Sequence, residues 1–142
     1  MTDDEFLRAF EARTLPFEQW THRAHVKVAF LYLRALDLEG ALAKVREGIK
    51  AYNAANAVPE GPTSGYNETT TVAFVRLVAA VMGAYGRAMP TADAESFCET
   101  HPQLLSRHVL RFFYSPERRM DRRAKGEFVE PDLAPLPRIV GA

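Results

Sequence analysis

The stretch Trp20-Thr21-His22-Arg23-Ala24-His25-Val26-Lys27-Val28-Ala29-Phe30-Leu31-Tyr32-Leu33-Arg34-Ala35-Leu36-Asp37 decides what kind of protein this is. The Thr21 hydroxyl is placed to accept a bond from an amide two or three residues on, which starts a helix that runs to about Asp37. Read at 3.6 residues per turn, His22, His25, Val26, Ala29, Leu33 and Leu36 share one stripe, and Arg23, Lys27 and Arg34 fall on the opposite side. Both histidines therefore face inward, three residues apart in the first turn, near enough to hold one ion or one ligand atom between them. The positive end of the helix dipole and burial both disfavour imidazolium. Neutral rings, able to coordinate a metal or accept a proton, are the expected state.

Outward from this helix the same periodicity recurs. Thr2 followed by Asp3, Asp4 and Glu5 has the form of a capped start, and Phe6, Leu7 and Phe10 give a short amphipathic helix ending near Arg13. Leu15-Pro16-Phe17 then makes a turn. A third helix, from Leu38 or Glu39 to Asn56, carries Leu42, Val45, Ile49 and Tyr52 on its apolar stripe. Val58 to Gly65 is a loop, with two prolines and two glycines in eight residues. From Asn67 or Glu68 to about Gly86 the chain is apolar almost all round, as in a helix surrounded by others. Its valines and threonines also suit strands, but its length without a turn signal favours helix. Glu68, Thr71, Val72, Val75, Ala79 and Met82 share a stripe there.

After Met89-Pro90, a capping Thr91 opens a helix from Ala92 to about Glu99, and Thr100-His101-Pro102 punctuates it before another from Leu104 to Tyr114. Ser115-Pro116-Glu117 is a further start. The segment Arg107 to Lys125 holds seven basic residues and reads as a solvated or partner-facing surface, because no nucleic-acid recognition motif accompanies it. Phe128 to Pro137, rich in proline, crosses the surface as an extended arm anchored by Phe128, Val129, Leu133 and Leu136, able to cover the open end of the bundle. The expected fold is all-α: one domain over 1–142, an up-down bundle of about four to six helices with an extended C-terminal arm over 128–142.

Composition bounds the function. The 142 residues fit one domain, and 18 basic against 18 acidic residues give a formal charge of zero. No overall field recruits nucleic acid or an anionic membrane. A single cysteine, Cys98, forms no internal disulfide and reads as a small core residue. Met1 to Glu5 lacks the blocks of a signal peptide, and no apolar run approaches the roughly 20 residues of a spanning helix, so cytoplasm is the expectation. His101 reads as a capping or surface group, and His108, bracketed by Arg107 and Arg111, as exposed.

If the second, third and fourth helices run up, down and up, the second and fourth start at the same end. His22, His25 and Glu68, all in first turns, should then meet. Three readings of that meeting stay open. As a metal site, His22 and His25 supply nitrogen and Glu68 oxygen to a divalent zinc, iron or nickel ion whose water serves a hydrolase or transferase. Without metal, Glu68 and His25 act as an acid and base pair on a small molecule contacted by Tyr66, Asn67, Thr71 and Trp20. The third reading is a noncatalytic binding or assembly module, with a buried His/Glu network and the apolar fourth helix packed in a homodimer.

Trp-Thr-His-x-Ala-His at 20–25, Tyr-Asn-Glu-Thr-x-Thr at 66–71 and Val-Glu-Pro-Asp-Leu-x-Pro-Leu-Pro at 129–137 together resemble a group of small bacterial proteins of unknown function. The resemblance covers most of the chain and implies no established activity. It also implies a frequent histidine at the position of Asn67. Asparagine is a poor ligand for the metals that histidine suits, so the departure removes a third imidazole.

Overall fold

Each long helix starts where a short polar side chain takes an otherwise unpaired amide. In α1 (Asp3–Glu11), Thr2 Oγ1 accepts from the Glu5 amide at 3.1 Å, and the Glu5 carboxylate accepts in return from the Thr2 amide. Thr21 caps α2 (His22–Ala35) through the Ala24 amide at 3.2 Å, and Asp37 caps α3 (Leu38–Ala55) through the Gly40 amide at 2.8 Å. Asn67 Oδ1 accepts from the Thr70 amide at 2.9 Å and so opens α4 (Glu68–Tyr85). The computed structural model describes residues 1–85 and 91–138; Gly86, Met89-Pro90 and the last part of the expected arm, 139–142, lie outside the described residues.

Only Leu36 and Asp37 separate α2 from α3, which turns the chain back on itself. The pair α2 and α3 and the following α4 all touch one another, around fully buried Val28, Tyr52 and Val78. Among the described residues there is no strand, and no helix is long and apolar enough to cross a membrane. The all-α expectation holds, and so do the bounds of the four long helices to within about two residues.

Helix α1 lies on α3 through one close approach. The Phe10 ring, 1% exposed, sits over the Cα of Gly48, where an added Cβ would come within 2.5 Å of it. Stacking on Trp20 at 4.9 Å and contact with Tyr52 at 5.9 Å between ring centroids hold Phe10 there. The Tyr52 hydroxyl donates to the Leu15 carbonyl at 2.7 Å, which fixes the turn before Trp20.

The second half of the chain is more finely broken than its sequence suggests. Asp93 rather than Thr91 caps α5 (Ala94–Thr100), accepting from the Ser96 amide at 2.8 Å, so the helix starts two residues late. Glu95 then binds Arg23 at 2.6 Å and Lys27 at 2.9 Å, and Phe97 stacks on Phe30 at 4.5 Å, fastening α5 to the outer side of α2. Cys98 is fully buried, as expected. His101 stands at the C-cap of α5, its amide bound to the Phe97 carbonyl, and it is not on the surface: it is 4% exposed, packed against Phe97 and Tyr85. The expected helix from Leu104 to Tyr114 is instead two 3-10 segments, Pro102–Leu105 and Arg107–Phe112, because Ser106 between them caps the His108 amide and restarts the chain. Two short helices follow, α6 (Pro116–Arg119) and α7 (Arg122–Gly126).

The C-terminal arm is extended, and its backbone is tied down. Thr69 Oγ1 donates to the Glu127 carbonyl at 3.0 Å and accepts from the Val129 amide at 3.2 Å; Tyr114 Oη donates to the Val129 carbonyl at 2.7 Å. Val129 and Leu136 are buried, but the Leu133 side chain is 58% exposed, so only its amide, bound to the Phe113 carbonyl at 2.9 Å, anchors it.

Replacing Gly48 by alanine ordinarily strengthens a helix interior by about 1 kcal/mol. Here the added methyl must displace a ring confined on two sides, an overpacking that costs about 1–3 kcal/mol. Gly48→Ala is therefore expected to lower the urea midpoint, with Phe10→Leu in the same chain restoring part of the loss. A midpoint raised by Gly48→Ala alone would show that Phe10 moves freely.

Candidate functional site

The first turns of α2 and α4 open onto one cavity of about 820 Å³. Its floor is apolar: Val26 and Ala29 from α2, Val45 and Ile49 from α3, Val75 and Val78 from α4. Trp20, Phe74 and Leu105 wall it, and His22, His25, Thr70 and Thr71 turn polar atoms toward it. Its mouth carries Arg107, His108, Arg111 and Arg119, the first three exposed to solvent. The stripe expected on α2 is the one that lines the cavity, through His22, His25, Val26 and Ala29.

Both imidazoles are held by carbonyl oxygens, which fixes their tautomers because a carbonyl only accepts. His25 Nδ1–H donates to the Thr21 carbonyl at 2.7 Å, leaving the lone pair on Nε2. His22 Nε2–H donates to the Leu104 carbonyl at 2.9 Å, leaving the lone pair on Nδ1. The Trp20 ring covers His25 at 3.9 Å between centroids, and Phe74 meets His22 edge-on at 4.7 Å. Burial pushes His25 down to about 4, with the Thr21 carbonyl opposing and the neighbouring His22 assisting. Burial likewise lowers His22; the Leu104 carbonyl opposes it and the Arg107 charge adds to it. Both rings are neutral at pH 7, as expected.

Glu68 does not meet them. Its carboxylate is gripped by the Arg46 guanidinium, Nε at 3.0 and 3.2 Å and Nη2 at 2.8 Å, and accepts from the Tyr66 hydroxyl at 2.6 Å. Burial alone raises this carboxyl, but Arg46 and Tyr66 outweigh it and hold it below the usual range. The reason is rotational. At about 100° per residue, the cavity-facing positions 70, 71, 74, 75 and 78 centre about 90° away from position 68, so Glu68 points along the flank of α4 toward α3. Helix direction was read correctly and helix rotation was not.

The remaining expected residues divide. Trp20 and Thr71 line the cavity; Tyr66 and Asn67 do not. Asn67 is consumed as the cap of α4. Tyr66 is a buried strut: its amide donates to Glu60, its hydroxyl holds Glu68, and its carbonyl accepts from Lys125. The expected metal centre is likewise corrected. Among the described residues no three His, Cys, Asp or Glu side chains come together as a metal site, and the one oxygen ligand assigned to it already neutralises an arginine. Of the expected acid and base pair, His25 lines the cavity and Glu68 does not. None of the described arm residues, 128–138, lines the cavity; they are tied instead to α4 through Thr69.

Sequence reasoning missed the mouth. Arg107, Arg111 and Arg119 belong to the run expected as a solvated or partner-facing surface, and their spacing along one 3-10 segment and α6 gives no periodic signal. The excess itself was visible: seven basic residues against Glu117 and Asp121 between positions 107 and 125.

The geometry is that of a concave, mostly apolar pocket with a few convergent polar groups, the usual form of a small-molecule site. Compared with known protein families, curated proteins and solved structures, the chain matches none.

Glu68→Gln keeps the shape but removes the charge that Arg46 pairs with, and a loss of about 1–2 kcal/mol of stability in urea is expected, while the pKa of His25 read by NMR stays put. A His25 pKa moved by a full unit in that variant would return Glu68 to the cavity. A second expectation concerns acid. The folded His25 binds its proton only near pH 4, against 6.5 unfolded. The unfolded chain thus holds more protons across that window, and stability falls as pH drops through it, by at most about 1.4 kcal/mol per unit. Wild type and His25→Gln, compared by urea titration between pH 7 and 4, should differ in this slope; parallel curves would refute the burial of a neutral ring.

Proposed function

We propose that the chain binds a small organic molecule in the cavity between the starts of α2 and α4, where the molecule meets the unprotonated Nε2 of His25. The observation that carries this reading is the pairing of a large apolar chamber with two imidazoles whose tautomers are fixed by backbone carbonyls. Preset lone pairs at one edge of an apolar space orient a ligand at little entropic cost.

This reading takes the place of a metal-dependent hydrolase or transferase, whose ligand set does not come together. It also takes the place of a homodimer built on the fourth helix. Val72, Ala73, Val75, Leu77 and Val78 of α4 are buried within the chain, against α2, α3 and α7. His25, neutral down to about pH 4, serves as a hydrogen-bond acceptor.

A fragment screen followed by thermal shift tests it. A compound at a hundred times its Kd stabilises by about 2.7 kcal/mol, and such hits are expected to shift the His25 ring signals by NMR. Ala29→Trp and Thr71→Phe, which fill the chamber from two sides, should abolish binding while keeping the helical circular dichroism. Hits that bind both filled variants as well as wild type would place the ligand elsewhere.

A further inference from the structure

The cavity carries charge of one sign. Arg107 and Arg111 from one 3-10 segment and Arg119 from α6 stand at its mouth, and among the described residues no Asp or Glu lines it. Of the carboxylates near it in the chain, Glu68 is engaged by Arg46 and Glu127 by Arg123, while Glu117 and Glu130 are exposed and do not line it. Among the described residues, Arg107, Arg111 and Arg119 make no ion pair and no side-chain hydrogen bond within the chain. The remaining facing groups add no negative charge, since His22 and His25 are neutral and Thr21, Thr70 and Thr71 are hydroxyls. Two helix starts open on the same space, and their dipoles act in the same direction as the arginines.

Resting on the reading of the cavity as a ligand site, we infer that its ligand is an amphipathic organic anion: an apolar chain or ring seated on the valine floor, with a carboxylate or phosphate held by Arg107, Arg111 and Arg119. The planar guanidinium fork suits both heads. An inorganic anion alone leaves the floor uncovered, and a neutral molecule leaves the arginines unanswered. A chamber of about 820 Å³ accepts a body of drug size rather than a bare ion.

The test is a panel matched in shape and different in charge: octanoate, octyl phosphate, octanamide and octylammonium, with 2-naphthoate against 2-naphthamide, titrated calorimetrically into wild type below micelle-forming concentrations. Octanoate and octyl phosphate are expected to bind at least tenfold more tightly than octanamide, and 2-naphthoate than 2-naphthamide, with octylammonium and an added control of inorganic phosphate weakest of all and anion affinity falling as salt rises. Arg107→Gln, Arg111→Gln and Arg119→Gln together should erase the preference, and the same three positions as lysine should keep most of it, which separates lost charge from lost folding. Amides that bind as tightly as anions, in a manner that Ala29→Trp abolishes, would overturn the inference and leave the cavity reading standing. No binding by any member would overturn both. Cosedimentation with phosphatidylglycerol vesicles that persists at saturating octanoate would assign the arginines to a bilayer surface and overturn the inference as well.

Discussion

The bidentate contact between Arg46 and Glu68 sets the rotation of α4, and the character of the cavity follows from it. Two parallel N–H to oxygen bonds fix direction as well as distance, and the Tyr66 hydroxyl locks the same carboxylate from a third side. With Glu68 turned onto α3, the flank of α4 that remains for the chamber is Thr70, Thr71, Phe74, Val75 and Val78. A carboxylate on that flank would neutralise part of the arginine charge and raise the histidine pKa values. Its removal lets both groups act.

Charge and basicity are thereby divided between different residues. Burial keeps His22 and His25 neutral, and Arg107 contributes to this at His22 by repelling a second positive charge. Guanidinium does not titrate in the physiological range. The cavity therefore presents the permanent charge of its arginines at the mouth and, at His25, an acceptor nitrogen that stays unprotonated down to about pH 4. Had either histidine donated to a carboxylate instead of a carbonyl, the pair would titrate near neutrality and the division would be lost.

The parts legible in the sequence are those fixed locally. Thr2 and Thr21 announce helix starts through bonds that span only a few residues, and the stripe His22, His25, Val26, Ala29 follows from period alone. Asn67 shows the limit of the same logic: the resemblance drew attention to it as a ligand position, whereas its side chain makes an ordinary cap. The rotation of α4 was not legible, because an almost wholly apolar helix has no preferred face until Arg46, more than twenty positions earlier, selects one. The chain from Pro102 to Gly126 was legible only as punctuation. Helices of four or five residues have no periodicity to read, and their placement is set by tertiary bonds such as Arg118 Nε to the Glu130 carbonyl and Ser115 to Asp132.

A formal charge of zero says nothing about what a bound molecule feels. Exposed charges separated by more than about 8 Å are largely screened at physiological ionic strength, so a ligand at the cavity mouth responds to the few groups beside it. In this chain several carboxylates are spent on other work: Glu95 on Arg23 and Lys27, Glu60 on Lys125, Glu68 on Arg46, Asp121 and Asp132 on backbone and hydroxyl donors. Each such pairing adds little stability at an exposed site, but each also withdraws a negative charge from reach of Arg107, Arg111 and Arg119. A neutral protein thus builds a positive pocket by where it places its carboxylates, and the excess of 107–125 becomes a local field that the overall composition conceals.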